Sequence, residues 1–276
     1  MKYQPLVSVL TTARNAQDYI GQAIESILSQ SFKNFEFLII DDASSDRTWE
    51  IILTYQKKDE RIKAFKNNNQ EGISKNRNKL VLMASGKYIA WQDADDISLP
   101  ARIEKQVEFM DANPLVGICG GWLDFFNGKK SNGIRKYPAS DEILRKNIFR
   151  FSPVAQPASI IKKKALLESG KYNEDLVVAE DLDMSFCIGQ RYKFANIQEV
   201  ILRYRQSDSS ITKRKLRQLE LNTLKIRFNF FKDKNYHFSL VDFGYNIGQF
   251  LTLYLMPVKF RICLFNFFRN NKKNVG

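Results

Sequence analysis

SGKYIAWQDADD, residues 85–96, places a short apolar run, Tyr88 to Trp91, directly before Asp93, Ala94, Asp95 and Asp96. Gly86 ends the helical stretch that precedes it, which Gly72 begins and Leu80 and Met83 continue. Downstream, Pro100 suits a first helical turn, and Ile103, Val107 and Met110 keep helical spacing until Asn113-Pro114 stops the run. The same unit recurs upstream. LVSVLT (6–11) reads as a strand, followed by a helix that Asp18 opens, with Ile20, Ala23, Ile24 and Ile27 on one face. FEFLII (35–40) is a second buried strand ending in Asp41-Asp42, with Ser44 or Ser45 as a cap for a helix carrying Trp49, Ile52 and Leu53, and a third strand is expected at 62–65. Four strand–helix alternations predict an α/β fold with a largely parallel sheet. Such sheets bind ligands beyond the carboxyl ends of their strands, where Arg14, Asp42 and Asp93 to Asp96 would gather.

Beyond residue 115 the pattern loosens into short strands, a Gly/Asn/Lys-rich loop at 127–137, and helices near 140–148 and 180–190. With 276 residues, 44% of them apolar, the chain can bury one large core with a small appendage. Three scattered cysteines, Cys119, Cys187 and Cys263, give no disulfide framework and no structural zinc site, and fit a reducing cytoplasm. The amino terminus lacks the apolar stretch and cleavage site of a signal peptide. A single histidine, His237, leaves His-based triads and multi-histidine metal sites without material, so acid/base chemistry falls to carboxylates.

Individually, the acidic motifs are weak signals. Seventeen Asp residues yield about one DxD by chance, and Asp181-Leu182-Asp183 is a second occurrence here. Asp93 and Asp95 at a strand end could hold a hard divalent cation against phosphate, or form a solvated turn. Asp42 could accept from a ribose or base, or cap a helix. Lys75 and Arg77, just after Gly72, could meet a diphosphate, or face solvent. Glu180-Asp181 could simply start a helix.

Together, however, VSVLTTARN (7–15), FLIIDDASSDRT (37–48), EGISKNRN (71–78), SGKYIAWQDADD (85–96) and AEDLDMSF (179–186) resemble, in order, the motifs of the inverting family-2 glycosyltransferases of the GT-A fold. The likeness spans about residues 5–205. It implies a Rossmann-like α/β domain over 1–212, with a nucleotide-sugar half (1–112) and an acceptor half (113–212), followed by a C-terminal helical extension. It implies a metal-dependent enzyme moving a sugar from a nucleotide diphosphate sugar, UDP-linked by resemblance, to a glycan or lipid-linked glycan in cell-surface polysaccharide synthesis. By the same likeness Thr12, Arg14 and Asn15 line the nucleobase pocket, Asp42 meets the base or ribose, and Gly72, Lys75 and Arg77 close the nucleotide site. Asp93 and Ala94 then flank the ribose, Asp95 holds Mn²⁺ or Mg²⁺, and Asp181, paired with Glu180, is the general base. The chain departs from the pattern at Arg14, where an aromatic is usual, and at Gln156 and Ser207, where histidines are frequent. A nucleotidyltransferase is disfavoured because TTARNAQD lacks a glycine phosphate loop, and a membrane-attached scaffold without turnover would not need Asp95 and Asp181.

The net charge of +13 lies mostly in residues 213–276, which hold 13 Lys/Arg against 3 Asp/Glu and ten of the 21 Phe. Basic and aromatic residues together suit an anionic membrane surface, which would set the enzyme on the inner face of the cell membrane; alternatively, the aromatics pack as helices against the catalytic domain and the charges face solvent. No nucleic-acid-binding signature accompanies them. Residues 243–258 carry no charge, but Gly, Asn, Gln and Pro interrupt them and they fall short of a membrane span.

Overall fold

The computed structural model describes residues 4–206 and 215–270. Ser207 therefore lies outside the described residues. The strands are β1 (Val7–Ala13), β2 (Phe35–Asp41), β3 (Ile62–Lys66), β4 (Tyr88–Trp91), β5 (Ile97–Ser98), β6 (Val116–Asn127), β7 (Lys130–Arg135), β8 (Ile160–Lys162) and β9 (Lys193–Arg205). The helices are α1 (Ile20–Leu28), α2 (Thr48–Gln56), α3 (Ile73–Met83), α4 (Arg102–Ala112), α5 (Asp141–Asn147), α6 (Lys163–Glu168), α7 (Glu180–Gly189), α8 (Leu216–Phe230), α9 (Leu240–Leu255) and α10 (Val258–Asn270).

One sheet runs in the order β3-β2-β1-β4-β8-β6-β9-β5, with β7 paired to β6. Its first four strands are parallel, as the strand–helix alternation predicts, and β8 joins β4 antiparallel to begin the second half. Both faces of the parallel part are covered, so consecutive residues of one strand enter different cores. Leu10, Leu38, Ile40 and Trp91 pack with α3 and α7, whereas Val9, Phe37, Ile39 and Ala90 pack with α1 and α4. That two-sided burial is why these strands read as continuous apolar runs.

Residues 127–137, expected as a loop, instead contain β7, which forms a hairpin with the end of β6. Gly128, at φ +60°, supplies the left-handed turn between them. Every residue of β7 but Arg135 is exposed, so the strand has no apolar alternation to reveal it.

Gly86 marks where β4 approaches β1. Its amide donates to Ser8 Oγ at 2.9 Å, and an added Cβ would lie 2.6 Å from the Ser8 amide nitrogen and 2.8 Å from the Val7 carbonyl carbon. Gly86→Ala is therefore expected to destabilise the fold by about 1–3 kcal/mol through overpacking. The urea unfolding midpoint measures this, and an unchanged midpoint would mean that β1 and β4 have room to separate.

Candidate active site

The loops leaving β1 and β2 are interlocked. Asn15, in the left-handed region at φ 49°, donates its amide to Ser44 Oγ at 2.9 Å and accepts from the Ser45 amide through Oδ1 at 2.9 Å. Asn is among the few residues that tolerate that conformation. Ser44 and Ser45, expected as caps for α2, thus tie one loop to the other. Asp46 caps the helix start instead, accepting from the Thr48 amide at 2.9 Å. Thr12 is half-buried beneath the loops and Arg14 is exposed on them.

Asp42, buried at the end of β2, spends most of its acceptor capacity on the chain. It takes the Glu71 amide at 2.8 Å, the Gly72 amide at 3.0 Å and Asn67 Nδ2 at 2.9 Å. Burial works to raise this carboxyl, but these hydrogen bonds and Asn76 outweigh it and hold it below the usual range. Gly72, at φ +92°, is the turn that brings those two amides onto one carboxylate before α3 begins. Lys75 stands exposed on the first turn of α3.

The Asp93 to Asp96 loop is fixed from below by buried polar groups. Gln92 Nε2 donates to the carbonyls of Asp93 (2.9 Å) and Asp96 (2.8 Å). Arg102, buried in α4, donates to the Trp91 carbonyl at 2.7 Å and Ser98 Oγ at 2.8 Å. Arg205, at the end of β9, gives its amide to Asp96 Oδ1 at 2.8 Å and its Nε to the Asp95 carbonyl at 2.7 Å. Ala94 packs half-buried among its neighbours. Burial and the adjacent Asp93 push Asp95 up to about 6, and burial with both neighbours raises Asp96 well above the usual carboxylate range. Burial also raises Asp93, Arg77 and Arg102 opposing it and Asp181 adding to it.

Arg77 does not face solvent, the second of its two sequence readings. Its side chain, 4% exposed, pairs with Glu180 and reaches within 3.9 Å of Asp93 Oδ1. The guanidinium also lies 5.2 Å from the ring of Trp91 and 5.4 Å from that of Tyr172. Neighbours of Arg77 on α3 grip the chain that leads into α7. Ser74 Oγ donates to the Leu176 carbonyl at 2.7 Å, and Asn78 exchanges hydrogen bonds of 2.9 Å with the Tyr172 backbone in both directions. Ala179, at φ 68°, then turns the chain so that Glu180 and Asp181 head the helix. Asp181 Oδ1 accepts from the Leu182 amide at 2.9 Å. Burial pushes Glu180 up, Asp181 adds to it and Arg77 opposes it. Arg77 itself is raised despite its burial because Glu180 holds it charged. Gln156 is buried, its Nε2 donating to the Tyr172 hydroxyl at 2.5 Å.

The loops thus bring Asp93, Asp95 and the Glu180-Asp181 pair to one edge of the sheet, joined through Arg77. Residues 8–168, more than half the chain, match the family described as Glycosyl transferase family 2. The chain belongs to glycosyltransferase family 2. A glycosyltransferase of Methanocaldococcus jannaschii is 35% identical over 264 residues, which cover 92% of this chain and 90% of that one. The UDP-Glc:alpha-D-GlcNAc-diphosphoundecaprenol beta-1,3-glucosyltransferase WfaP of Escherichia coli is 43% identical over 106 residues, 38% of this chain and 41% of that one. Among solved structures, the mannosyltransferase PcManGT of Pyrobaculum calidifontis, in complex with GDP-Man and Mn²⁺, superposes with a TM-score of 0.62 at 18% identity, over 92% of this chain and 71% of that one. The family-2 enzyme therefore has the GT-A type α/β fold, and its activity is glycosyl transfer.

The donor set at Asp93 and Asp95 fits a hard divalent cation, because both are oxygen ligands at a strand end. Among the described residues, no group of three or more His, Cys, Asp or Glu is gathered to enclose an ion. Such a site suits Mg²⁺ or Mn²⁺ completed by water and substrate phosphates rather than an all-protein cage. Gln92, Arg102, Tyr172 and Arg205, which hold the acidic loops in place, carried no sequence signal: Tyr172 and Arg205 act across about 94 and 110 residues, and no local pattern marks Gln92 and Arg102, though their partners are near in sequence.

Proposed function

We propose that this family-2 enzyme is a metal-dependent inverting transferase that moves a sugar from a UDP-sugar to a hydroxyl of a glycan or lipid-linked glycan during cell-surface polysaccharide synthesis. The observation that carries the reading is the physical linkage, through Arg77, of the Asp93-Ala94-Asp95 loop to the Glu180-Asp181 helix start. One half of the site would bind the donor and the other activate the acceptor, and a single buried guanidinium sets their separation. Thr12, Arg14 and Asn15 take the base side, and Asp42 organises the Gly72 turn behind it. Lys75 is left at the mouth of that turn.

Asp95, with Asp93 beside it, holds the cation, which stabilises the departing diphosphate when bound. Asp181 takes the proton of the acceptor hydroxyl as its oxygen bonds to the anomeric carbon and the bond from that carbon to the diphosphate breaks. Single displacement inverts the anomeric centre. Glu180 is paired with Arg77 and acts as a positioning residue. The UDP-glucose and diphosphoundecaprenol substrates in the Escherichia coli relative's name support a UDP-linked donor and a lipid-linked acceptor. The Mn²⁺ of the Pyrobaculum enzyme supports the metal. Such an acceptor suits attachment of residues 213–276 to an anionic inner membrane face.

Calorimetric titration of UDP with Mn²⁺ and with EDTA tests the donor site. Metal-dependent binding is expected in the wild type, falling at least about tenfold in Asp95→Ala. Binding that ignores both EDTA and the substitution would remove the cation from Asp95, and a preference for GDP would replace UDP.

A further inference from the structure

The last two helices are amphipathic with the usual arrangement reversed. On α9, Leu240, Phe243, Ile247, Leu251 and Tyr254 recur at three- and four-residue intervals and are all exposed, Leu240 by 90%. The face turned toward the enzyme carries the helix's polar residues, beside Tyr245 and Leu253. Asp242, buried, pairs with Arg150 at 2.8 Å, and Asn246 donates to the Phe149 carbonyl at 3.0 Å. Asn246 and Gln249 both accept from Arg227 Nη1, at 3.2 and 2.9 Å.

Helix α10 repeats the inversion. Its described arginines, Arg261 and Arg269, are 7% and 9% exposed. Arg261 pairs with Glu220, and Arg269 stacks 4.9 Å from Tyr137 and 5.4 Å from Phe151. Meanwhile Phe260 and Phe267 stand 63% and 67% exposed. A surface helix in water turns its charged residues outward. Two consecutive helices that do the opposite expose large apolar side chains of a kind that marks an interaction site.

We propose that the outward faces of α9 and α10 insert into the acyl region of a phospholipid bilayer, so that the enzyme is monotopic. The inference rests on the membrane attachment proposed above and changes its physical basis from charge attraction to apolar insertion. Helix length agrees: 16 and 13 residues span about 24 and 20 Å, short of a hydrocarbon core of about 30 Å. No helix among the described residues is long and apolar enough to cross. The pair lies in the interface plane instead. Charge favours a bilayer over an apolar protein surface, because Lys225, Lys232 and Lys234 remain exposed on and beyond the neighbouring α8, in a segment rich in Lys and Arg. They would meet headgroups at the rim of the inserted face.

The test is co-flotation of the full chain with vesicles of phosphatidylcholine alone, and of phosphatidylcholine containing one quarter phosphatidylglycerol, at about 0.1 M and about 1 M NaCl. Insertion predicts flotation with both vesicles at both salts. It also predicts a partition coefficient lowered by a factor on the order of 100 in Phe250→Glu/Leu251→Glu. UDP titration of that variant confirms that the catalytic domain is folded. A Phe267→Trp variant should be quenched by brominated acyl chains. Binding only to anionic vesicles, released by salt, would overturn insertion and leave electrostatic attachment standing. Absence of flotation with either vesicle would overturn both. A stable dimer that fails to float and is dissociated by the double substitution would assign the face to a second copy of the chain.

Discussion

Replacing Arg77 by methionine is expected to destabilise the enzyme by about 3–5 kcal/mol and to abolish transfer, because it leaves the Glu180 carboxyl buried without its partner. The side chains of Arg77 and Glu180 are 4% and 8% exposed, so little water can reach the orphaned carboxylate. Methionine fills much of the volume against Trp91 and Tyr172, so the loss reports charge more than packing. Adding Glu180→Met should recover most of the stability, since a buried ion pair replaced as a unit is often neutral. It should recover none of the activity, because the two halves of the site would lose their link. The single variant should also acquire a characteristic pH dependence. Burial already drives the Glu180 carboxyl above its ordinary value of 4.5, and without Arg77 nothing comparable opposes that rise. A group with a raised folded pKa contributes stability below its unfolded pKa and loses it as pH climbs through the folded value. Arg77→Met should therefore be nearest to wild type below about pH 4.5 and fall behind as pH rises. Urea midpoints at several pH values read this directly, and a penalty that is flat with pH, or equal in the single and double variants, would deny that the pair is coupled.

Arg77 also shows where sequence reading stops. The parallel half of the fold was legible because strands buried on both faces have to be continuously apolar, and β1, β2 and β4 are. The acidic motifs were legible by position, since a parallel sheet collects the carboxyl ends of its strands on one edge. The direction of a charged side chain on α3 has no such local signature. It depends on residues 172–180, some hundred positions away, folding across the helix. Arg205 is hidden in the same way, reaching Asp95 and Asp96 across about 110 residues. In the C-terminal segment, composition revealed basic and aromatic content but not its arrangement. A periodic apolar stripe fixes that a helix is two-faced and leaves open which face meets the protein. Only the buried partners of Asp242, Arg261 and Arg269 settle that.

Asp181→Asn is expected to lower kcat by about 10²–10⁴-fold, the range over which a positioned general base contributes, with UDP affinity unchanged within about twofold. Asparagine keeps the side-chain shape, and its carbonyl oxygen can still accept the Leu182 amide, so the start of α7 should hold. It cannot take a proton from the acceptor hydroxyl, and that is the one property the substitution removes. Glu180→Gln gives the necessary contrast. A neutral amide beside Arg77 leaves the buried guanidinium with Asp93, 3.9 Å away, as its nearest counter-charge, so this variant should lose stability and donor affinity together. A base is therefore expected to separate chemistry from binding, and a positioning residue to couple them. Equal loss of transfer and of UDP binding in Asp181→Asn would move Asp181 into the second class and leave the proton without its proposed acceptor. The order of the two carboxylates at the head of α7 matters for this reason. The first is held in the interior by Arg77, and the second, one residue further round the turn, is about 100° away and free of that ion pair.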